Sequence, residues 1–327
     1  MVFFIIKCYN QFDMGLFSFL FRKNKQNKKL KVGLALSGGG AKGICHIGAI
    51  KAFEESGIKF DVIAGTSAGS IVGAALASGR TFDELVEISK SIEAKDIRNS
   101  KMFFMPSKTS GIEALAVKAI GGNKKFDELG TPFFCVATCL NDGKETVFSS
   151  GNVAKAVSAS CCFPGFFVPV SIDGKNFVDG GILNNLPTSV LRDQLCDVII
   201  AVDLSSTSNF GTNSTKALDV LGASYKIMSS INVNHAREIA DVVIRPDMTG
   251  FKSTKLNDAN KLIEEGYISA KEQMPKILHI LKTKQAIDRK RVFKAGKLRE
   301  KLHKKQMKEK EKFNIYAKEE KRKASRG

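Results

Sequence analysis

A chain of 327 residues with 43% hydrophobic side chains can bury a large core and holds one or two domains. Its net charge of +18 is concentrated at the ends: residues 1–31 carry seven Lys/Arg against one Asp, residues 282–327 carry nineteen against six acids, and the body between them sums to −1. A neutral body excludes a basic nucleic-acid face on the fold and leaves the two ends for surface attachment.

Residues 1–21 are apolar and aromatic, but Lys7, Asn10, Gln11 and Asp13 interrupt the run, which falls short of the ~20 clean residues of a spanning helix. Without a basic segment before it or a small-residue cleavage site after it, it does not read as a secretory signal. Met14 offers an alternative start. With Arg22, Lys23, Lys25, Lys28 and Lys29 behind it, the stretch reads either as an attachment to an anionic membrane surface or as a disordered leader.

Val32–Leu36 is a compact apolar run, followed by the glycine-rich Ser37-Gly38-Gly39-Gly40-Ala41-Lys42-Gly43 and by a helical spacing over Ile44–Ser56. Phe60–Ala64 reads as the next strand, so the start of the body is a βαβ unit and implies a parallel sheet. Then comes Gly65-Thr66-Ser67-Ala68-Gly69, a serine with glycines at −2 and +2 between that strand and the helix Ser70–Ala77. This is the spacing of a nucleophile elbow, a turn so tight that its flanks have no room for a Cβ. A helix around Thr81–Ile97 is predicted next. The apolar 101–106 segment covers a site, touches lipid or packs as a connector.

Pro132–Leu140 is a strong strand that Asn141-Asp142-Gly143 turns into Glu145–Ser149. A short helix near Val153–Ala159 precedes Phe163-Pro164-Gly165-Phe166-Phe167-Val168-Pro169-Val170, a turn at Asp173-Gly174, and the step Asp179-Gly180-Gly181 at a strand end. Asp197–Leu204 and Asp241–Ile244 are further buried strands, flanking a polar loop at 205–215 and a helix at 216–233. A helix over Leu256–Leu281 closes the body. The Lys-dense 282–327 reads as a disordered or frayed helical tail. Its few aromatics make no base-stacking platform, so no specific nucleic acid is expected as a partner.

Seven cysteines without metal-ligand spacing, beside only four histidines, read as small buried hydrophobes of a reducing compartment, and no metal or cofactor is expected. The glycine loop fits G-x-G-x-x-G, yet the strand after it ends in Gly65-Thr66-Ser67 where a dinucleotide site needs an acid. Lys42 is followed by Gly43, not by the Ser/Thr of a P-loop. What remains is a row of backbone N–H donors suited to an oxyanion. Ser67 also needs a base. His46, on the helix after the glycine loop, reads as either a base or a packed histidine. Asp179 is the better candidate, because Gly180 and Gly181 let its backbone approach another segment.

Gly38–Gly43, Gly65–Gly69 and Asp179–Gly181, in that order and with the Pro164-Gly165-x-Phe167-x-Pro169 stretch ahead of the aspartate, resemble the patatin-like phospholipase family over about residues 32–200. The likeness is to its small bacterial members. It implies a three-layer α/β/α fold with a mainly parallel central sheet, to which the composition adds a basic C-terminal tail. Residues 1–31 are then a leader, 32–200 the catalytic core, 201–281 the rest of the same domain, and 282–327 the tail. It also implies hydrolysis of lipid acyl esters by a Ser67–Asp179 dyad without histidine. Gly38, Gly39, Gly40 and Gly43 form the oxyanion hole, Gly39 and Gly40 foremost, and Gly65, Gly69, Gly180 and Gly181 support the motifs. No metal takes part. An acyl chain would run along Phe163, Phe166, Phe167 and the 103–105 segment. The protein is then expected in the cytoplasm, in peripheral contact with the inner face of the membrane through its basic ends. Asp179 is followed by Gly-Gly where many relatives have Gly-Ala, and the last 46 residues have no family counterpart. The alternative is a lipid-binding or regulatory protein on the same fold that has lost the reaction.

Overall fold

The computed structural model describes residues 29–92, 106–205, 216–253 and 258–324. Residues Leu30–Lys284 form one compact unit, and 285–324 lie outside it. The unit is built on β1 (Val32–Leu36), β2 (Val62–Thr66), β3 (Phe133–Cys139), β4 (Glu145–Phe148), β5 (Val170–Ile172), β6 (Lys175–Asp179), β7 (Val198–Val202) and β8 (Val242–Ile244). They form one sheet in the order β5-β6-β3-β2-β1-β7-β8, with β4 also paired to β3. β1, β2, β3, β7 and β8 pair in parallel, whereas β4, β5 and β6 pair antiparallel.

Every residue of β1, β2 and β7 is buried, as expected of parallel strands covered on both faces. Alternation along β1 sends Leu34 and Leu36 into one core and Ala35 into the other. The first core is closed by α1 (Cys45–Glu55), α2 (Ala68–Ala77), α3 (Phe82–Lys90), α4 (Ser110–Ile120), α5 (Val153–Ser160) and the first part of α8 (Ala259–Ala324). The second is closed by α6 (Thr188–Asp193) and α7 (Ala217–Ile239). The result is the three-layer α/β/α arrangement with a mainly parallel centre.

Some elements differ from the sequence reading. α4 and α6 escape it: α4 opens on Ser-Gly, and six-residue α6 is too short to display a period. The last helix does not stop near Leu281 but continues through Lys- and Glu-rich sequence to Ala324, supported in part by the Lys304–Glu300 pair at 2.9 Å. No described helix is long and apolar enough to cross a membrane. The apolar leader, the 101–105 part of the connector and 206–215 of the polar loop lie outside the described residues.

Candidate active site

The strand β2 ends at Thr66, and the chain turns into α2 through Ser67, whose φ of 51° and ψ of −126° belong to a region that L side chains avoid. The turn is closed by contacts that exclude side chains. A Cβ on Gly65 would stand 2.5 Å from the Gly69 carbonyl oxygen, and one on Gly69 would strike the Leu36 carbonyl of β1. The Ser67 N–H donates to Ser160 Oγ at 2.8 Å, and Ser160 Oγ–H donates to the Val136 carbonyl at 2.5 Å. The end of α5 therefore ties the strained turn to β3.

The partner arrives through sheet register. On β3, Val136 pairs with Thr66 and the next residue, Ala137, pairs with Asp179. The ends of β2 and β6 thus meet at neighbouring positions, although the two residues are 112 apart in sequence. Ser67 Oγ–H donates to Asp179 Oδ2 at 2.7 Å, and the Asp179 side chain also accepts from Gly181 N–H at 2.8 Å and Tyr225 O–H at 2.9 Å, both on Oδ1. Asp179 is only 1% exposed. Burial pushes its carboxyl above the ordinary carboxylate range, and the hydrogen bonds from Gly181, Ser67 and Tyr225 pull it partly back. Gly180 and Gly181 are confined by contact: a Cβ on the first would strike the Val136 carbonyl, and one on the second the Tyr225 hydroxyl.

The glycine loop runs beside this pair. The N–H groups of Gly39 and Gly40 donate to no acceptor among the described residues. Gly38 differs from the other predicted donors, because its N–H is spent on the Asn185 carbonyl at 3.1 Å, so its part is to shape the loop. Gly43 sits in the short 3-10 turn Gly40–Ile44, where a Cβ would stand 2.5 Å from that of Ala68.

Of the two sequence readings of His46, the packed one is what the structure holds. His46 is fully buried, and its Nε2–H donates to the Ser37 carbonyl at 2.8 Å, at the root of the glycine loop. Nδ1 has no partner among the described residues, and burial lowers the pKa to about 4 against the weaker opposing effects of the Ser37 carbonyl and the Asp203 charge. Because the folded state refuses a proton that the unfolded chain accepts near 6.5, stability is retained above that pH and declines as pH falls towards 4. His46→Gln, which keeps a donor for Ser37, is expected to lose this decline, worth up to about 3 kcal/mol, in thermal melts across that window.

Both groups open on a cavity of about 1180 Å³ lined by Phe163, Phe166 and Phe167 together with α2 and α4 residues such as Val72 and Ile112. The 103–105 segment of the expected acyl wall lies outside the described residues. Lys42 and Lys226 also line the cavity, and burial, then the Lys226 charge, lowers the Lys42 pKa. Tyr225, packed on Phe163 at 4.6 Å between ring centroids, is missed by sequence reasoning, as are Ser160 and Asn185. Tyr225 belongs to no motif, and only its place on α7 reveals it.

The patatin-like phospholipase family model matches residues 34–192. An uncharacterized NTE family protein of Mycobacterium tuberculosis is 37% identical over 182 residues, covering 54% of this chain and 50% of the relative. Lysophospholipase NTE1 of Saccharomyces cerevisiae is 34% identical over 187 residues, covering 54% of this chain and 11% of that protein. The match therefore spans half of the mycobacterial relative and a small part of the yeast one. Among solved structures, VipD from Legionella pneumophila superposes with a TM-score of 0.49 at 14% identity, covering 78% of this chain and 67% of that one, a distance at which no residue role transfers.

Proposed function

Since this chain belongs to the patatin-like phospholipase family through residues 34–192, we propose that it is a serine acyl hydrolase acting on phospholipids or related lipid esters. The observation that carries this reading is the 2.7 Å hydrogen bond from a strained serine to a buried carboxylate. Asp179 accepts the Ser67 proton as Oγ attacks the ester carbonyl, and the N–H groups of Gly39 and Gly40 face the oxygen that becomes negative. Collapse of the adduct expels the alcohol, which takes the proton from Asp179. Water then enters, loses a proton to the same carboxylate as it attacks the acyl carbon, and the fatty acid leaves as Asp179 returns that proton to the departing Ser67 Oγ. Desolvation serves this chemistry, because a carboxyl held at its ordinary pKa of ~3.9 is a weak base for a hydroxyl. The yeast relative's name, lysophospholipase, supports a lipid acyl ester as substrate. The basic ends suit peripheral contact with an anionic surface.

The reading is tested by incubating the purified chain with phosphatidylcholine and lysophosphatidylcholine, following fatty acid by mass spectrometry, and mapping a fluorophosphonate adduct. Acid release with the adduct on Ser67 is expected. No release and no adduct would overturn the assignment. Tyr225→Phe removes one donor to the Asp179 carboxylate, so the Asp179 pKa rises further. The acid limb of the kcat/KM profile is expected to move to higher pH, with roughly a tenfold loss on the acid side that recovers as pH increases.

A further inference from the structure

The helix α7 has a face that the dyad does not use. Tyr225, Ser229, Val233 and Ala236 point inward, the last three at 6%, 1% and 5% exposure. On the opposite side Val220, Ile227 and Ile231 recur at intervals of seven and four residues, the spacing of one helical stripe. Exposed Ser224 sits between the first two, and Met228 lies beside the stripe. Val220, Ile227, Met228 and Ile231 are 45%, 50%, 46% and 73% exposed. Lys226 is the one charged residue from Val220 to Asn234, with Asp219 just before the stripe and His235 just after it. None of the stripe residues lines the cavity, but Ala223, Lys226 and Ser230 on the flank between the two faces do.

We propose that this outward stripe of α7 is the surface on which the chain docks to an anionic lipid bilayer, with the cavity mouth turned towards the membrane. The proposal rests on the acyl-hydrolase reading, in that a lipid ester must leave a bilayer to reach Ser67. A row of exposed aliphatic side chains next to the cavity-lining flank inserts among acyl chains and headgroups, and Lys226, exposed and lining the cavity, meets anionic headgroups. A folded partner or a second copy seated on the same stripe would bring no lipid ester to the cavity-lining flank. A bilayer on it supplies the substrate. This places the contact on the folded body, separately from the basic ends.

The full-length chain and Ile227→Glu/Ile231→Glu are compared by co-sedimentation with vesicles of phosphatidylcholine and phosphatidylglycerol at about 7:3. Both are also assayed on those vesicles and on water-soluble p-nitrophenyl butyrate. Two carboxylates on an exposed stripe are expected to weaken vesicle binding roughly tenfold or more and to lower vesicle hydrolysis in step. Turnover of the soluble ester is expected to stay within about twofold, which also reports an intact fold. Unchanged vesicle binding overturns the proposal. Unchanged binding together with conversion of an oligomer to a monomer assigns the stripe to a second copy instead. If the wild type hydrolyses neither ester while the variant still loses vesicle binding, the docking surface stands and the catalytic reading fails.

Discussion

Ser67→Ala is expected to remove ester hydrolysis, with kcat reduced by about 10³-fold or more, and to leave the chain folded. The effect is large because the variant loses the atom that bonds to the acyl group. Its structural cost is small. The hydroxyl donates its proton to Asp179, and alanine can hold the turn no better and no worse than serine at φ 51°. Ser67→Gly separates the two contributions further. Glycine has no Cβ to strain in that conformation, so this variant is expected to be equally inactive and to melt higher than the wild type, by about 1–3 kcal/mol in stability. Matched measurements of fatty-acid release, fluorophosphonate labelling and thermal melting decide the point. Full turnover by Ser67→Ala would remove Ser67 from the chemistry. A lower melting temperature for Ser67→Gly would show that the turn is not strained in solution.

Asp179→Asn is expected to lower kcat by a comparable factor of about 10³, because an amide cannot take the Ser67 proton. Its stability is expected to move the other way. Burial raises the Asp179 carboxyl above its ordinary value, so the folded state binds a proton more readily than the unfolded chain. For such a group stability rises as pH falls through the folded-state pKa, and at neutral pH the ionised carboxylate is a net cost. Asparagine carries no charge to desolvate, and Ser67 and Tyr225 can rotate their hydroxyls to suit the amide. The variant is therefore expected to melt at or above the wild type at pH 7, with the gap closing in acid. Thermal melts of both proteins from pH 7 to 4 test this. A variant that is markedly less stable at pH 7 would mean that the carboxylate holds the β2 and β6 ends together.

Much of the fold was legible because its signals are local. Continuous apolar runs at Val32–Leu36 and around Val198–Val202 read as strands covered on both faces, and glycines at 65 and 69 read as a turn without room for side chains. The order of strand, glycine loop, helix and strand implied parallel pairing, and β1 and β2 pair that way. The failures share a cause. Six-residue α6 carries too few periodic positions, the Ser-Gly opening of α4 hides the start of its Ile112, Ala116, Ala119 and Ile120 stripe, and beyond Leu281 the last helix has no core to mark its end.

By itself the sequence determined the chemical kinds and their local settings: a serine on a tight strand-to-helix turn, a glycine loop rich in N–H donors, and an aspartate at a strand end. The tertiary structure decided which of them meet. Adjacent register on β3 brings Ser67 and Asp179 to 2.7 Å, α7 supplies the Tyr225 hydroxyl, and the Asn185 carbonyl takes the Gly38 N–H out of use. It also turned His46 from a possible base into a buried support of the Ser37 carbonyl, and it left one stripe of α7 facing water. Burial and pairing between residues a hundred positions apart depend on sheet register and helix docking, which are properties of the assembled layers and of no single stretch of chain.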